Sequence, residues 1–499
     1  MKYNLIETND VIETILKLNN ITNEELNKEY DFINKDEVFF NFKEKLIENI
    51  NDKFLIVGDY DCDGICATTI IKKLLNELGV NSNYIIPSRI KDGYGLNNNI
   101  VNMAKENGFD SLFLVDNGIV ANEAIDLAYS LGLKVFIIDH HEYLNLPRAE
   151  AIIHSNIVED KYKGLSAGGL AFVLSRLFYE DDLSFVLGGL STLSDMMSVV
   201  GFNRFLIKEM MRILNTKSIY QMNLLNDNNS FDYESLSFNV IPKINALSRM
   251  EPMGDANKLV LYFLADEKTC RTTIEQINYV NEKRKQYTKS MYAEAKELIN
   301  EDSNIIVVSS SNFQEGLCGL ISNRLTHEMN KPSIVLTIKD NNYLGSGRSC
   351  GSYNLFEALK NFNHFDAYGG HEEAVGLSFS KEYLNDFIDY VNSLTIDNNV
   401  NQDVLLINHE LITKDLINEI NSLKPFGKDF NLYKFAIKND NYKKMIVSNR
   451  FPKYQIRNDL SAISFDIKTK DINPEYFIGN IKQDSYHIGA LQLLIEDLI

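Results

Sequence analysis

The segment Gly58-Asp59-Tyr60-Asp61-Cys62-Asp63-Gly64 puts three carboxylates within five residues. In an extended stretch Asp61 and Asp63 share a face, and such a group repels itself unless cations bind. Alone, the motif reads equally as an Asp-rich turn capping the next helix, because Asp favours N-caps. It has company. Val115-Asp116-Asn117-Gly118 and Asp139-His140-His141 each follow an apolar run, and Asp195 ends an otherwise apolar helical stretch. A carboxylate in that last position is costly to bury without a partner. Oxygen donors with one or two imidazoles and no thiolate suit Mn²⁺ or Mg²⁺ better than a structural zinc. Several carboxylates suit two ions roughly 3.5–4 Å apart that share one of them; such a pair clamps a phosphoryl group and lowers the pKa of a trapped water. The chemistry expected is in-line hydrolysis of a phosphate ester or anhydride.

These residues need a frame that gathers them. FLIVG (54–58), YIIP (84–87), SLFLV (111–115) and KVFII (134–138) are short apolar runs separated by amphipathic helical stretches, the pattern of a doubly wound parallel α/β sheet. Ligands of such sheets bind beyond the carboxyl ends of the strands, so the polar residues after each run converge on one crevice. The expected organisation is an N-terminal helical cap over 1–50 and the doubly wound domain over 51–203. A helical connector with one long, charged, Gly-free helix covers 204–300, and a smaller α/β domain 301–395. A β domain rich in aromatics covers 396–499.

At 499 residues the chain has room for about three domains of roughly 150 residues, and it needs no disulfide or metal staple to build a core. Hydrophobic residues at 44% and charged residues at 24% are ordinary for a globular protein. No apolar run reaches the roughly 18 residues of a membrane span. The start, MKYNLIETND, has no hydrophobic signal core, so a cytoplasmic location is expected. Five cysteines, an odd number at irregular spacing, read as reduced thiols. The net charge of −19 argues against coating nucleic acid by bulk charge. One stretch runs against it: Lys424–Arg457 holds nine Lys/Arg against Asp429 and Asp440, interleaved with Phe426, Phe430, Tyr433, Phe435, Tyr442, Phe451 and Tyr454. Positive charge tracks a nucleic-acid backbone while aromatic faces stack bases; the competing reading is a small β-barrel with aromatic core and solvated lysines.

GDYDCDG, VDNGI, IDHHE and LSDMM, in that order, resemble the motifs of the DHH phosphoesterase superfamily. Tyr60 and PSRIKDGYGLN (87–97) resemble its RecJ branch of single-strand-specific exonucleases. INALSRM (244–250), FQEGLCGLISNRL (313–325), GSGRS (345–349) and YGGHEEAVGLSF (368–379) are similar to that branch's Asn-Ala-x-x-Arg segment and DHH-associated domain. KPFGKDF (424–430) through ALQLLIEDLI (490–499) resembles its terminal oligonucleotide-binding (OB) fold. Phe313 stands where the branch usually has Trp, and Ser155-Asn156 where Asn-Pro is usual.

The resemblance implies that Asp61, Asp63, Asp116, His140 and Asp195 hold two divalent cations, Mn²⁺ favoured over Mg²⁺, with Asp116 bridging. His141 would sit at the reacting phosphate as hydrogen-bond donor or last ligand, and Asp59 and Asp139 would be ligands or orient them. Arg89, Arg249, Arg348 and His371 would hold phosphates of a bound strand, with Ser346 and Gly370 offering further donors. It also implies a monomeric exonuclease of repair or recombination that digests single-stranded DNA from the 5′ end and releases 5′-monophosphates. A helicase or single-strand-binding protein would be a partner, and a membrane would not. Two other readings are a DHH phosphodiesterase on short RNA oligomers or cyclic dinucleotides, and a scaffold that kept the fold and lost the reaction.

Overall fold

The structure, a computed structural model, describes all residues except 1, 32–34, 229, 301, 397–400, 467–468, 470–471, 485–486 and 488. It divides into two compact units, Tyr30–Met197 with Phe202–Asn398, and Met1–Glu29 with Ser198–Gly201 and Asn399–Ile499. The chain starts with strand β1 (Lys2–Thr8), which belongs to the second of these.

In the larger unit β2 (Phe54–Val57), β3 (Ser82–Ile85), β4 (Ser111–Val115), β5 (Lys134–Asp139) and β6 (Ala151–His154) form a five-stranded sheet in the order β3-β2-β4-β5-β6. Every pair is parallel. Side chains alternate between the two faces, and both faces are covered, which is why the strands read as unbroken apolar runs. Leu55, Val57, Leu112, Leu114, Val135 and Ile137 pack in one cluster with residues of the helices Asn98–Glu106 and Asn122–Ser130. On the other face Phe42, from the helix Glu37–Glu48, lies 5.4 Å from Phe113 and 5.7 Å from Phe136. The strand order switches sides between β2 and β4, so the crevice of such a sheet opens beyond their carboxyl ends. Asp59 and Asp116 follow those two strands.

The same unit holds a second sheet made of β7 (Ile306–Ser310), β8 (Ser333–Lys339), β9 (Asn342–Arg348), β10 (Phe365–His371) and β11 (Ala374–Ser380), ordered β10-β11-β9-β8-β7. Only β7 and β8 are parallel. Between the two sheets in sequence runs a 31-residue helix, Glu267–Glu297. Its buried face carries Cys270, Ile274 and Ile277 at one end and Met291, Tyr292 and Ala295 at the other, with Asn281 between.

The other unit is β-rich: β12 (Asn401–Ile407), β13 (Lys434–Lys438), β14 (Lys443–Val447), β15 (Phe451–Arg457), β16 (Leu460–Ser464), β17 (Tyr476–Gln483) and β18 (Leu491–Leu498). With β1 they make one eight-stranded mixed sheet, β1-β12-β13-β17-β18-β16-β15-β14. The expectation of an all-helical segment over 1–50 is corrected here. Helices Val11–Leu18, Asn23–Leu26 and Glu37–Glu48 are present, but β1 pairs in parallel with β12, from Lys2↔Asn401 to Thr8↔Ile407. A strand whose only partner is so remote leaves no local signature. The basic stretch divides between its two readings. Phe430, Phe435 and Tyr454 are buried in the core of this unit, so those three rings are unavailable for stacking bases. Lys434, Lys453 and Arg457 pair with Glu496, Asp484 and Asp459; Lys443 and Arg450 remain exposed.

All five cysteines are free thiols. Among the described residues no helix is long and apolar enough to cross a membrane.

Candidate metal centre and anion site

Asp61 is the N-cap of the helix Cys62–Glu77, its Oδ1 accepting from Asp63 N (2.9 Å) and Gly64 N (3.2 Å). Capping and ligation are therefore compatible, because the bonds use one oxygen only. The turn closes tightly: a Cβ on Gly64 would lie 2.5 Å from the Asp59 carbonyl oxygen. Asp63 lies in the first turn of that helix and reaches the start of another, Ala167–Ser175. There it accepts from Ala167 N (3.0 Å), Gly168 N (2.7 Å) and Ser191 Oγ (2.5 Å). Asp116, just past β4, has φ 60°, the left-handed region that non-glycine residues adopt at a cost of roughly 1–3 kcal/mol and that clusters at functional sites. Asp195 is the C-cap of the helix Asp182–Ser194.

These elements bring the carboxylates and imidazoles into one pocket. His140 Nε2 lies 3.3 Å from Asp116 Oδ1, 3.5 Å from Asp195 Oδ2 and 3.7 Å from Asp63 Oδ2. Three overlapping groups have ligand atoms within 4.8 Å of one another: Asp116, His140 and His141; Asp63, His140 and Asp195; Asp59, Asp61 and Asp116. Asp116 is shared by the first and third.

The electrostatics are unbalanced. Burial, then the neighbouring carboxylates, hold Asp116 and Asp59 well above the usual carboxylate range, and burial together with Asp61 pushes Asp63 up to about 6. Burial and the charge on His141 push His140 down to about 3, so this imidazole is neutral and a ready ligand. Asp116 Oδ1 and Asp59 Oδ1 are buried with no hydrogen-bond donor, an expensive state for an acceptor. Buried carboxylate oxygens without donors facing a neutral imidazole describe a site short of positive charge. The donor set fits a hard divalent cation.

Asp139 differs. Its Oδ1 accepts from His140 N (2.8 Å), His141 N (3.2 Å) and His141 Nδ1 (2.8 Å), and its Oδ2 from Ile119 N (3.0 Å). Burial would raise Asp139, yet the His141 hydrogen bond and charge and these backbone donors hold it below the usual range. Burial alone would lower His141, but Asp139 and the other carboxylates push it up to about 9. Asp139 thus orients the two histidines, whereas Asp59 faces the cluster with an unused oxygen.

Beside the carboxylates lies a cluster of guanidiniums. Arg249 ends the helix Ile241–Arg249 and is lowered to about 10 by burial and then by Arg89, Arg348 and Arg284. Burial and Arg89 lower Arg348 as well. Arg89 lies over the Tyr60 ring at 5.0 Å, within reach of Asp59. None of the four arginines forms an ion pair among the described residues, and Arg284 Nε is buried without an acceptor. Guanidiniums gathered without ion pairs are a candidate anion site. Ser346 lies on β9 two residues from Arg348, both beside Gly319 at the start of the helix Cys318–Met329.

His371 and Gly370 stand apart. His371 is exposed on β10, separated from Arg348 by β11 through Ala374, and its Nδ1 accepts from Glu373 N at 3.4 Å. Gly370 has φ 145° and a Cβ there would strike the Ala374 carbonyl at 2.2 Å. Packing against the adjacent strand alone requires a glycine here.

The sequence reading missed several residues that shape the site. Asn117 is buried and donates to Val57 O and Val115 O (both 2.9 Å) while accepting from Leu96 N (3.2 Å). Tyr94 donates to Asp116 O (2.8 Å) and touches His141. Both sit in motifs already singled out, which was the available signal. Arg284 sits between Lys283 and Lys285 and looks like part of a solvated face.

Comparison with known proteins agrees with this geometry. Residues 53–190 match the DHH family, N-terminal domain, and residues 302–397 match the DHHA1 domain. The single-stranded-DNA-specific exonuclease RecJ of Bacillus subtilis is 29% identical over 439 residues, covering 83% of this chain and 56% of that protein. Its Escherichia coli counterpart is 28% identical over 385 residues, covering 68% and 66%. The chain carries a DHH N-terminal domain and a DHHA1 domain and is similar to the RecJ exonucleases. It spans 56% of the B. subtilis relative and 66% of the E. coli relative. Among solved structures, RecJ from Thermus thermophilus in complex with Mn²⁺ superimposes with a TM-score of 0.85 at 19% identity, covering all of this chain and 79% of that one. A second, exonuclease RecJ bound to manganese, gives 0.64 at 23% identity over 73% and 96%. The RecJ-like fold therefore extends over the whole chain, including the β-rich C-terminal region.

Proposed function

We propose that this protein is a metal-dependent exonuclease that hydrolyses single-stranded DNA by a two-metal mechanism. The observation that carries the proposal is the pairing of two incomplete charge systems in one unit. A carboxylate–imidazole pocket with buried oxygens lacking donors adjoins four arginines that form no ion pair among the described residues. A phosphate chain with divalent cations completes both.

Asp116 would be the shared ligand, with His140, Asp63 and Asp195 on one side and Asp59 and Asp61 on the other. Bound there, Mn²⁺ or Mg²⁺ supplies charge that polarises the phosphoryl oxygens and makes water a competent nucleophile near neutral pH. The remaining work falls to the chain. Arg89, Arg249, Arg348 and Arg284 draw in and orient the phosphates, Arg forks matching phosphate oxygens bidentately. Ser346 adds a hydroxyl donor beside Arg348. His141, its Nδ1 engaged by Asp139, would turn its Nε2, 3.3 Å from Tyr94 Oη, to the reacting phosphate or to an ion. Tyr60 and Tyr94, 6.4 Å apart, wall the approach. His371 is retained only as a peripheral phosphate contact, given its exposed position.

Single-stranded DNA as substrate, release of 5′-monophosphates from the 5′ end and a role in repair or recombination rest on likeness to the RecJ exonucleases. A monomer acting in the cytoplasm, with a helicase or single-strand-binding protein as partner, belongs to the same reading. The test is digestion of end-labelled single- and double-stranded DNA with Mn²⁺, comparing wild type with Asp116→Ala. Wild type should degrade only the single strand, and the variant neither. Preference for dinucleotides over longer strands would favour the phosphodiesterase reading, and equal cleavage by Asp116→Ala would refute the ligand assignment.

A further inference from the structure

We infer that His154 is a positioning residue for the histidine pair His140–His141, acting through the backbone carbonyl of His141. The inference rests on the proposed role of that pair in holding metal.

His154 ends β6 and lies in register with Asp139 on β5. It is fully buried, so its two ring nitrogens must find partners inside the protein. Nδ1 accepts from the Asn156 backbone N–H at 3.1 Å. A backbone N–H can only donate, which leaves the ring proton on Nε2. That nitrogen lies 2.9 Å from His141 O, so His154 donates and the carbonyl accepts. The ring plane is fixed by Tyr143, edge to face at 4.7 Å.

Asp139 performs the complementary task. It takes the N–H groups of His140 and His141 and the His141 ring, but it makes no contact with the His141 carbonyl. The dipeptide is thus gripped by its N–H groups from β5 and by its carbonyl from β6. Removing the second grip frees the peptide after His141 to rotate, and with it the direction in which both rings point. Partners that orient ligating groups commonly change metal affinity by about 10–100-fold when lost.

The experiment compares full-length wild type with His154→Leu, His154→Gln and His154→Asn. It reads thermal unfolding without metal, Mn²⁺ affinity by calorimetry, and kcat and KM on single-stranded DNA. The glutamine amide nitrogen reaches the place of Nε2, whereas the asparagine amide stops near Nδ1. Expected are a loss of Mn²⁺ affinity of about tenfold or more in the leucine and asparagine variants, recovery to within about threefold of wild type in the glutamine variant, and a fall in kcat with KM nearly unchanged. The asparagine–glutamine pair carries the test should the leucine variant fail to fold. Wild-type Mn²⁺ affinity in His154→Asn, or a glutamine variant no better than asparagine, would overturn the inference, and a change confined to the melting temperature would assign His154 to packing alone. Wild-type protein that takes up no Mn²⁺ would instead overturn the metal reading on which the inference stands.

Discussion

The carboxylate pocket and the arginine cluster are neighbours in one unit with opposite imbalances. In the pocket, burial and mutual repulsion raise Asp59, Asp63 and Asp116. In the cluster, burial and mutual repulsion lower Arg249 and Arg348. Direct pairing of the two sets would neutralise both, yet Asp63 and Asp116 lie beside His140, and among the described residues neither forms an ion pair with an arginine. On the proposed reading each set is kept for something outside the chain: cations for one, anions for the other. Structural ion pairs are built the opposite way, as Lys217 and Asp182 show at 2.7 Å.

The comparison breaks most sharply at Asp116. Asp116→Ala should cost about 4 kcal/mol of charge stabilisation, or roughly 10³-fold in hydrolysis. Because it removes a buried, uncompensated charge, the metal-free variant should melt at or above the wild-type temperature. Calorimetric melting beside a nuclease assay checks both halves. A large drop in melting temperature would mean that Asp116 is a structural residue.

The arginine side should fail differently. Arg249→Ala should raise KM by about 30-fold, equivalent to about 2 kcal/mol, with kcat less affected. Arg249→Lys should recover only part of this, since an ammonium lacks the bidentate fork. A pure kcat loss in initial-rate measurements would place Arg249 with the reacting atoms instead.

Arg284→Ala should act in the same direction but less, about three- to tenfold in KM, and should reduce the slope of log affinity against log salt by about one. Binding titrations across a salt series decide this, and an unchanged slope would return Arg284 to a packing role. The smallest effect is expected in the other unit: Lys443→Ala with Arg450→Ala should weaken single-strand binding by about threefold or less, uniformly across sequences, because both side chains are exposed and screened. A tenfold or larger loss in the same titration would make the β-rich region a principal binding surface.

How much of this was legible in the sequence follows from how local each feature is. β4 and β5 announced themselves because strands buried on both faces are continuous apolar runs, and the carboxylates after them had to lie at one end of a parallel sheet. Asp59 and Asp139 were indistinguishable, since each is an Asp at the end of a strand. Only the hydrogen bonds separate them: Asp139 has both oxygens satisfied by donors, whereas Asp59 keeps one without any. Strand β1 was invisible because its partner begins at Asn401. Arg284 was hidden by flanking lysines, and its nearness to Arg249, far off in the chain, leaves no mark in the spacing. The packing of Gly370 against the adjacent strand was hidden because spacing alone does not reveal it.

The most direct test is anomalous scattering from a crystal of the wild-type protein grown with Mn²⁺. Two manganese peaks roughly 3.5–4 Å apart, with Asp116 contacting both, His140 and Asp195 on one side and Asp59 or Asp61 on the other, are the expected result. Manganese absent from this pocket, or bound without Asp116, would contradict the account.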